Sequence, residues 1–184
     1  MPPLSPPVAR QHLHTRRFEF QGFQRDDGLW DIEGHMTDTK TYSFPNDWRG
    51  EVKAGEPIHD MWLRLTLDDD LVVKDIEART AAGPFQMCPD ATPKYAGIKG
   101  ARIGPGWTKK VKEMFGGPIA CTHHTEMLVT IATVAYQTIF SAKKKWQGTD
   151  ETTKRPPFLD TCHAMATDSP IVKRYWPEFY EENR

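Results

Sequence analysis

The stretch that decides the fold runs from residue 61 to residue 80 and reads MWLRLTLDDDLVVKDIEART. In its first seven residues Met61, Leu63, Leu65 and Leu67 alternate with Trp62, Arg64 and Thr66, which is the two-residue period of a strand with one buried face. The acidic triplet 68–70 interrupts this pattern and favours a turn. The alternation then resumes over Val72–Thr80. The stretch therefore predicts two antiparallel strands joined by a short connection.

A second pair of strands is predicted upstream, on either side of Asp26-Asp27-Gly28. Glycine readily adopts the positive φ that a tight hairpin turn needs, so this tripeptide is a turn signal. Segments 16–24 and 29–37 flank it, and both alternate apolar with polar residues. Residues 43–55 are rich in turn-forming residues and read as a connection. The first 80 residues thus predict an antiparallel sheet of about four strands.

From residue 81 the apolar residues change to the period of a helix. A short helix is predicted over Trp107–Phe115, where Gly116 and Gly117 stop it. A long helix is predicted over 123–142, and a third begins at Ser169-Pro170. Strands followed by helices indicate an α+β fold in which the long helix covers one sheet face. We expect a single domain over 14–184, preceded by a flexible proline-rich arm over 1–13.

Composition excludes several classes of function. The 184 residues carry a formal net charge of −1, so there is no overall field to attract nucleic acid or an anionic membrane. No apolar run approaches the ~20 residues that span a bilayer, and the N-terminal residues do not resemble a secretion signal. Three cysteines without close pairing indicate free thiols and a reducing compartment. We therefore expect a cytoplasmic protein without nucleic-acid or membrane partners.

The first candidate site is CTHHTE at 121–126, where the long helix begins. Free backbone N–H groups at a helix N-terminus favour a thiolate, so Cys121 is a candidate ligand or nucleophile beside His123. The alternative is that the cysteine is inert packing and the histidine a polar cap. The sequence leaves both interpretations open.

The second candidate is GEPIHD at 55–60, directly before the third strand. Successive side chains of a strand point to opposite faces, so His59 and Asp60 are expected to diverge. His59 is a candidate base or ligand. The alternative is a histidine that stabilises the turn.

A third group of candidates lies along the strands. His35 and Asp38 lie near the end of the second strand, where Asp38 could instead form a surface ion pair with Lys40. Arg64 lies on the strand face opposite Leu63 and Leu65 and is added with the same reservation.

A metal site is the further possibility, since zinc accepts both imidazole and thiolate ligands. No close ligand spacing is present, so the site would need residues from distant segments: His59, Cys88, Cys121 and His123. We expect these four to meet at one end of the sheet and to hold one divalent ion, zinc or iron. The glycines over 97–106 match neither a Walker motif nor a dinucleotide fingerprint, so no nucleotide cofactor is expected.

Together these segments resemble a bacterial family described only as a domain of unknown function. The resemblance covers most of residues 14–180. It is carried by RDDGLWDIEG at 25–34, TDTK at 37–40, GEPIHD at 55–60, RIGPG at 102–106 and CTH at 121–123. It implies a stand-alone cytosolic bacterial protein and says nearly nothing about activity.

A remote similarity concerns the iron–sulfur scaffold proteins of the NifU type. Their ligands precede a strand, follow the next strand and begin a helix, and His59, Cys88 and Cys121 follow the same order here. This chain departs from the pattern in having His59 where a scaffold would typically offer cysteine. The departure weakens cluster assembly and leaves open a mononuclear metal or a metal-free acid/base site.

The leading functional hypothesis is an enzyme acting on a small molecule as a lyase, isomerase or hydrolase. His59 and His123 would transfer protons, and Cys121 would serve as ligand or nucleophile. Trp62, Trp107 and Phe85 could wall an aromatic or unsaturated substrate, although each is more typical of a core. The alternative is a metal-binding protein without turnover. The sheet face opposite the long helix predicts a homodimer.

Overall fold

The structure is a computed structural model, and it describes residues 4–143, 155–156 and 158–182. The chain divides into two compact units, Met1–Ile139 and Phe140–Arg184. The first unit contains the sheet and all the candidate residues. The flexible arm over 1–13 and the single domain over 14–184 stay predictions.

The first unit is built on a four-stranded antiparallel sheet with the order β1-β2-β5-β6. The predicted α+β fold is confirmed. The connection between β2 and β5 contains a small hairpin that the sequence did not reveal. The strands are β1 (His14–Gln24), β2 (Trp30–Lys40), β3 (Phe44–Asn46), β4 (Gly50–Val52), β5 (Pro57–Leu67) and β6 (Val73–Ala82).

The buried face of the sheet follows the alternation of the central strands. In β2 every second residue from Trp30 to Asp38 is buried, and in β5 Met61, Leu63 and Leu65 continue the same layer. The row in β2 therefore ends on a carboxylate. The ladder between β2 and β5 shifts at this point, because Asp38 pairs with His59 but Thr39 pairs with Pro57. Ile58 is the extra residue of a β-bulge.

Helical segments follow the sheet in the first unit, including a short 3-10 turn at Gly117–Ile119. An 11-residue 3-10 helix covers Cys88–Ile98, a region for which the sequence predicts turns. The helices α1 (Trp107–Phe115) and α2 (Thr122–Ala142) match their predictions to within one residue. Trp107 donates its indole N–H to the carbonyl of Leu128 at 2.8 Å and so joins the two helices.

Helix α2 packs directly on the buried face. A Cβ placed on Gly22 of β1 would lie 2.0 Å from Oγ1 and 2.8 Å from Cβ of Thr138. One placed on Gly34 of β2 would lie 3.0 Å from the terminal methyl of Met127. Glycine at these two positions lets the helix backbone approach the strands closely. The predicted coverage of one face by the long helix is confirmed.

In the second unit, α3 (Pro170–Tyr175) begins where the sequence predicted. The hydroxyl of Ser169 accepts a hydrogen bond from the backbone N–H of Val172, which caps the helix. Val172 packs with Leu159 and Trp176 in a small apolar cluster.

Within the described residues, no helix has both the length and the apolar character needed to cross a membrane.

Candidate functional site

The centre of the site is Asp38, the last buried residue of the β2 row. It is 1% exposed, although most buried side chains of this layer are apolar. A carboxylate in such a position is costly unless hydrogen bonds and opposite charge compensate for the lost water. The groups that bond to Asp38 therefore determine what the site can do chemically.

Four hydrogen bonds saturate the carboxylate of Asp38. Oδ1 accepts from His14 Nε2 and from Arg16 Nε, both at 2.8 Å. Oδ2 accepts from Arg16 Nη2 at 2.7 Å and from His59 Nδ1 at 2.8 Å. Arg16 thus binds both oxygens in the forked geometry that suits a guanidinium and a carboxylate.

These partners come from strands that flank β2 on both sides. Arg16 of β1 and His59 of β5 each lie directly opposite Asp38 in the sheet register. Their side chains share the face of Asp38 because paired residues of neighbouring strands point the same way. The ionised state of Asp38 is secured by the same contacts. Burial opposes its charge, but the hydrogen bonds from Arg16, His14 and His59 outweigh burial and hold its pKa well below the usual range.

His123, from the first turn of α2, completes the site. Its ring centroid lies 4.0 Å from that of His59, and the two rings are inclined at 44°. Cys121 Sγ lies 3.8 Å from Nδ1 of His123. The backbone carbonyl of Cys121 accepts the hydroxyl proton of Tyr95 at 2.6 Å, which fixes the start of the helix.

Both imidazoles are neutral near pH 7. Burial is the main cause of the lowered pKa of His59, and the bond to Asp38 only partly opposes it. Burial lowers the pKa of His123 to about 4, and the positive charge of the nearby Arg16 acts in the same direction. Because His59 donates its Nδ1 proton to Asp38, its Nε2 carries the free lone pair. This atom can accept a proton from a bound molecule, and the carboxylate would stabilise the resulting imidazolium.

The geometry also contains a possible metal-binding group. Among the described residues, Asp38, His59 and His123 each offer a ligand atom, and these atoms lie within 4.8 Å of one another. Neutral imidazoles and an ionised carboxylate are the protonation states that metal binding requires.

The predicted site residues divide between the two faces of the sheet. Asp38, His59, His123 and Cys121 lie together, as described above. Asp60 lies on the opposite face from His59, as strand alternation predicts, where its Oδ1 accepts from His35 Nε2 at 2.9 Å. His35 also stacks on Trp62 with ring centroids 3.7 Å apart. The sequence could not separate these two histidine–aspartate pairs.

Arg64 lies on the same face of the sheet as His35 and Asp60, because alternate residues of a strand point the same way. It bonds Glu33 Oε1 at 2.8 Å and Glu77 Oε2 at 3.0 Å across the neighbouring strands. These bonds hold the guanidinium of Arg64 on the face of the sheet opposite to Asp38.

Cys88 is not part of the group of three. It begins the 3-10 helix beside Gly83, where an added Cβ would lie 3.2 Å from its Sγ. The four-residue metal set of His59, Cys88, Cys121 and His123 stays a prediction.

Asp38 and Lys40 have other partners in place of the suggested ion pair. Asp38 is bonded to His14, Arg16 and His59, and Lys40 Nζ bonds the hydroxyl of Tyr42 at 3.0 Å.

His14 and Arg16 were not predicted. A signal for Arg16 exists in the hairpin register, since pairing Gln24 with Trp30 across the turn also pairs Arg16 with Asp38. The predicted second strand ended at residue 37, one residue short of that pair. No comparable signal identifies His14, which lies opposite Lys40 and reaches Asp38 along the strand.

A family model described as "Protein of unknown function (DUF2889)" matches residues 14–137. The matched range includes every residue of the Asp38 site. No curated protein and no solved structure matches the chain. The similarity to NifU-type scaffold proteins stays a prediction.

Proposed function

Because the chain belongs to the DUF2889 family, whose description names no activity, we propose a function from the geometry of its own site. The protein is an enzyme that acts on a small molecule as a lyase, isomerase or hydrolase. His59 takes or returns a proton, Asp38 orients His59, and His123 contacts the substrate.

The observation that carries this proposal is the hydrogen bond between Asp38 Oδ2 and His59 Nδ1 at 2.8 Å. A buried carboxylate that accepts from one ring nitrogen selects a single tautomer and leaves the other nitrogen as a base. The same bond becomes stronger when His59 is protonated, so it favours the charged state formed during proton transfer. Arg16 supports the arrangement by holding Asp38 through two bonds.

His123 and Cys121 are assigned to the opposite side of the substrate. With its pKa lowered to about 4, His123 is neutral at pH 7 and serves as a hydrogen-bond partner. Cys121 lies next to His123. It serves either as the nucleophile, in a reaction that passes through a covalent intermediate, or as a packing residue. Only the role of His123 is required for the proposed reaction.

We propose a small molecule as the substrate. Two of the three aromatic residues that suggested an aromatic substrate lie elsewhere. Trp107 is buried between α1 and α2, and Trp62 stacks on His35 at the other face. They therefore supply no wall for the Asp38 site.

The test is turnover of a broad metabolite panel by the purified full-length protein and by two matched variants. His59→Gln removes the proposed base. His35→Gln is the control, because it also removes a histidine bonded to an aspartate but on the opposite face. We expect His59→Gln to lose at least ~100-fold in rate and His35→Gln to retain activity. Equal loss in both variants, or turnover unaffected by His59→Gln, would contradict the proposal.

A further inference from the structure

We propose that Asp38, His59 and His123 together bind one divalent first-row transition ion as a site with two histidines and one carboxylate. This inference rests on the proposed function for the position of the substrate, which would bind beside the ion. It changes the role of His59 from base to ligand whenever the ion is bound.

The distances within the group suit a single ion. The three ligand atoms lie within 4.8 Å of one another, so they need only small side-chain movements to converge. Asp38 Oδ2 and His59 Nδ1 are 2.8 Å apart. Two ligands at about 2.0–2.1 Å from one ion would be separated by about 2.9 Å at a right angle and by about 3.3 Å in tetrahedral zinc geometry. The hydrogen-bonded pair therefore needs to open by at most about 0.5 Å to hold an ion.

Only one proton has to move for the ion to enter. Oδ2 of Asp38 accepts from His59 Nδ1 and from Arg16 Nη2. An ion bound between Oδ2 and Nδ1 takes the place of the His59 proton, which moves to Nε2 so that the ring stays neutral, and the Arg16 bond is left intact. The contacts of Oδ1 with His14 and Arg16 are also unchanged. These outer contacts would orient the carboxylate, as partners of metal ligands commonly do.

The charge of Arg16 is the main opposing effect. Its guanidinium lies against Asp38 and would repel a cation. Glu126 offsets part of this repulsion, because its Oε2 lies 3.3 Å from Arg16 Nη1. The balance predicts a site of moderate affinity rather than a permanently occupied structural site.

The donor set indicates which ions would bind. Imidazole nitrogen suits zinc and iron, and a carboxylate oxygen is a harder ligand that zinc, iron and manganese all accept. Three protein ligands leave positions open for a substrate oxygen, which the ion would polarise.

Cys121 distinguishes the proposed metal site from a site that would include a thiolate ligand. Its sulfur lies 3.8 Å from His123 Nδ1, yet it is not a member of the group of three. Cys121→Ser is therefore a matched control that changes a neighbour of the site without removing a proposed ligand.

The experiment is calorimetric titration of chelator-treated, full-length protein with zinc and, separately, with cobalt(II). We expect about one ion per chain and a binding constant at least ~10-fold weaker in His59→Ala and in His123→Ala. Asp38→Asn should also weaken binding. If that variant does not fold, the two histidine variants carry the test. Cys121→Ser and His35→Ala should bind as the wild type does.

Three results would overturn the metal site. These are the absence of binding to the folded wild type, binding that the two histidine variants leave unchanged, and loss of binding in Cys121→Ser with a thiolate band in the cobalt(II) spectrum. None of them depends on turnover. A chain that binds no ion but loses activity in His59→Gln would keep the proposed enzyme and remove only the ion.

Discussion

Asp38 and His59 face each other across β2 and β5, and the distance from Asp38 Oδ2 to His59 Nδ1 is 2.8 Å. The pair lies immediately beside the bulge at Ile58, where the regular ladder is interrupted. Bulges commonly re-aim a side chain next to a functional site. Here the interruption coincides with the change from an apolar row to a buried charged cluster, so the ionisable side chains of this face are concentrated at the end of the sheet.

Replacing Asp38 should destabilise the protein more than replacing its counterpart on the other face. Asp38→Asn removes a buried charge and leaves Arg16 without its main partner. Breaking a buried pair costs roughly 3–5 kcal/mol, and the lower end applies because Arg16 is partly exposed. Asp60→Asn alters a more exposed pair and should cost less than about 1 kcal/mol. Urea denaturation measures both values, and equal losses would show that Asp38 has no special structural role.

A methyl group at Gly22 should also destabilise the fold. The added Cβ would lie 2.8 Å from the Cβ of Thr138, so rotation of the threonine side chain cannot remove the clash. We expect Gly22→Ala to lower the free energy of unfolding by about 1–3 kcal/mol. Thr138→Gly in the same chain should recover part of the loss. Thermal or urea unfolding without any change in Gly22→Ala would mean that α2 does not approach β1 this closely.

The stability of the metal-free protein should fall as the pH drops below ~6.5, the ordinary histidine pKa of an unfolded chain. Burial lowers the pKa of His123 to about 4 in the folded state. Between these values the unfolded chain binds more protons, so protonation favours unfolding. The contribution is fully present above pH ~6.5 and is lost progressively towards pH 4.

The measurement is urea unfolding in the presence of chelator at pH 7.5 and pH 5. His123→Gln should reduce the difference between the two pH values, because glutamine does not titrate. His163→Gln in the second unit is the control and should leave the difference unchanged. A wild-type protein that is more stable at pH 5 would contradict this prediction.

The homodimer remains a prediction, and the sheet face that carries His35 and Trp62 makes it testable. Trp62 is 43% exposed there, and tryptophan is enriched at the centres of interfaces. Light scattering at micromolar concentration should give twice the chain mass of 21.1 kDa. Trp62→Ala should weaken association by at least ~30-fold, or about 2 kcal/mol, whereas Lys109→Ala on α1 should not. A mass of one chain for the wild type would exclude the dimer.

The fold was predictable because its signals are local. The alternation over Met61–Leu67, the turn at Gly28 and the apolar stripe of α2 each depend on residues close together in sequence. The β3–β4 hairpin was missed because three-residue strands are too short to show a period. The 3-10 helix at Cys88–Ile98 was missed because prolines lie at its start and in its interior.

The site was only partly predictable, because it depends on pairing between strands. His59 and His123 were identified as single residues near element boundaries. Asp38 was undervalued because a carboxylate at the end of a strand is usually solvated, and its burial follows from Arg16 lying opposite it. Composition and spacing alone could not distinguish the His59–Asp38 pair from the His35–Asp60 pair, since both combine a histidine and an aspartate on neighbouring strands.

The most direct test of the Asp38–His59 site is nitrogen NMR of the histidine rings in chelator-treated protein at pH 7.5. The predicted result is a neutral His59 with its proton on Nδ1, and loss of that single tautomer in Asp38→Asn. A His59 ring protonated on Nε2, or a mixture of tautomers that Asp38→Asn leaves unchanged, would contradict the central role given to this pair.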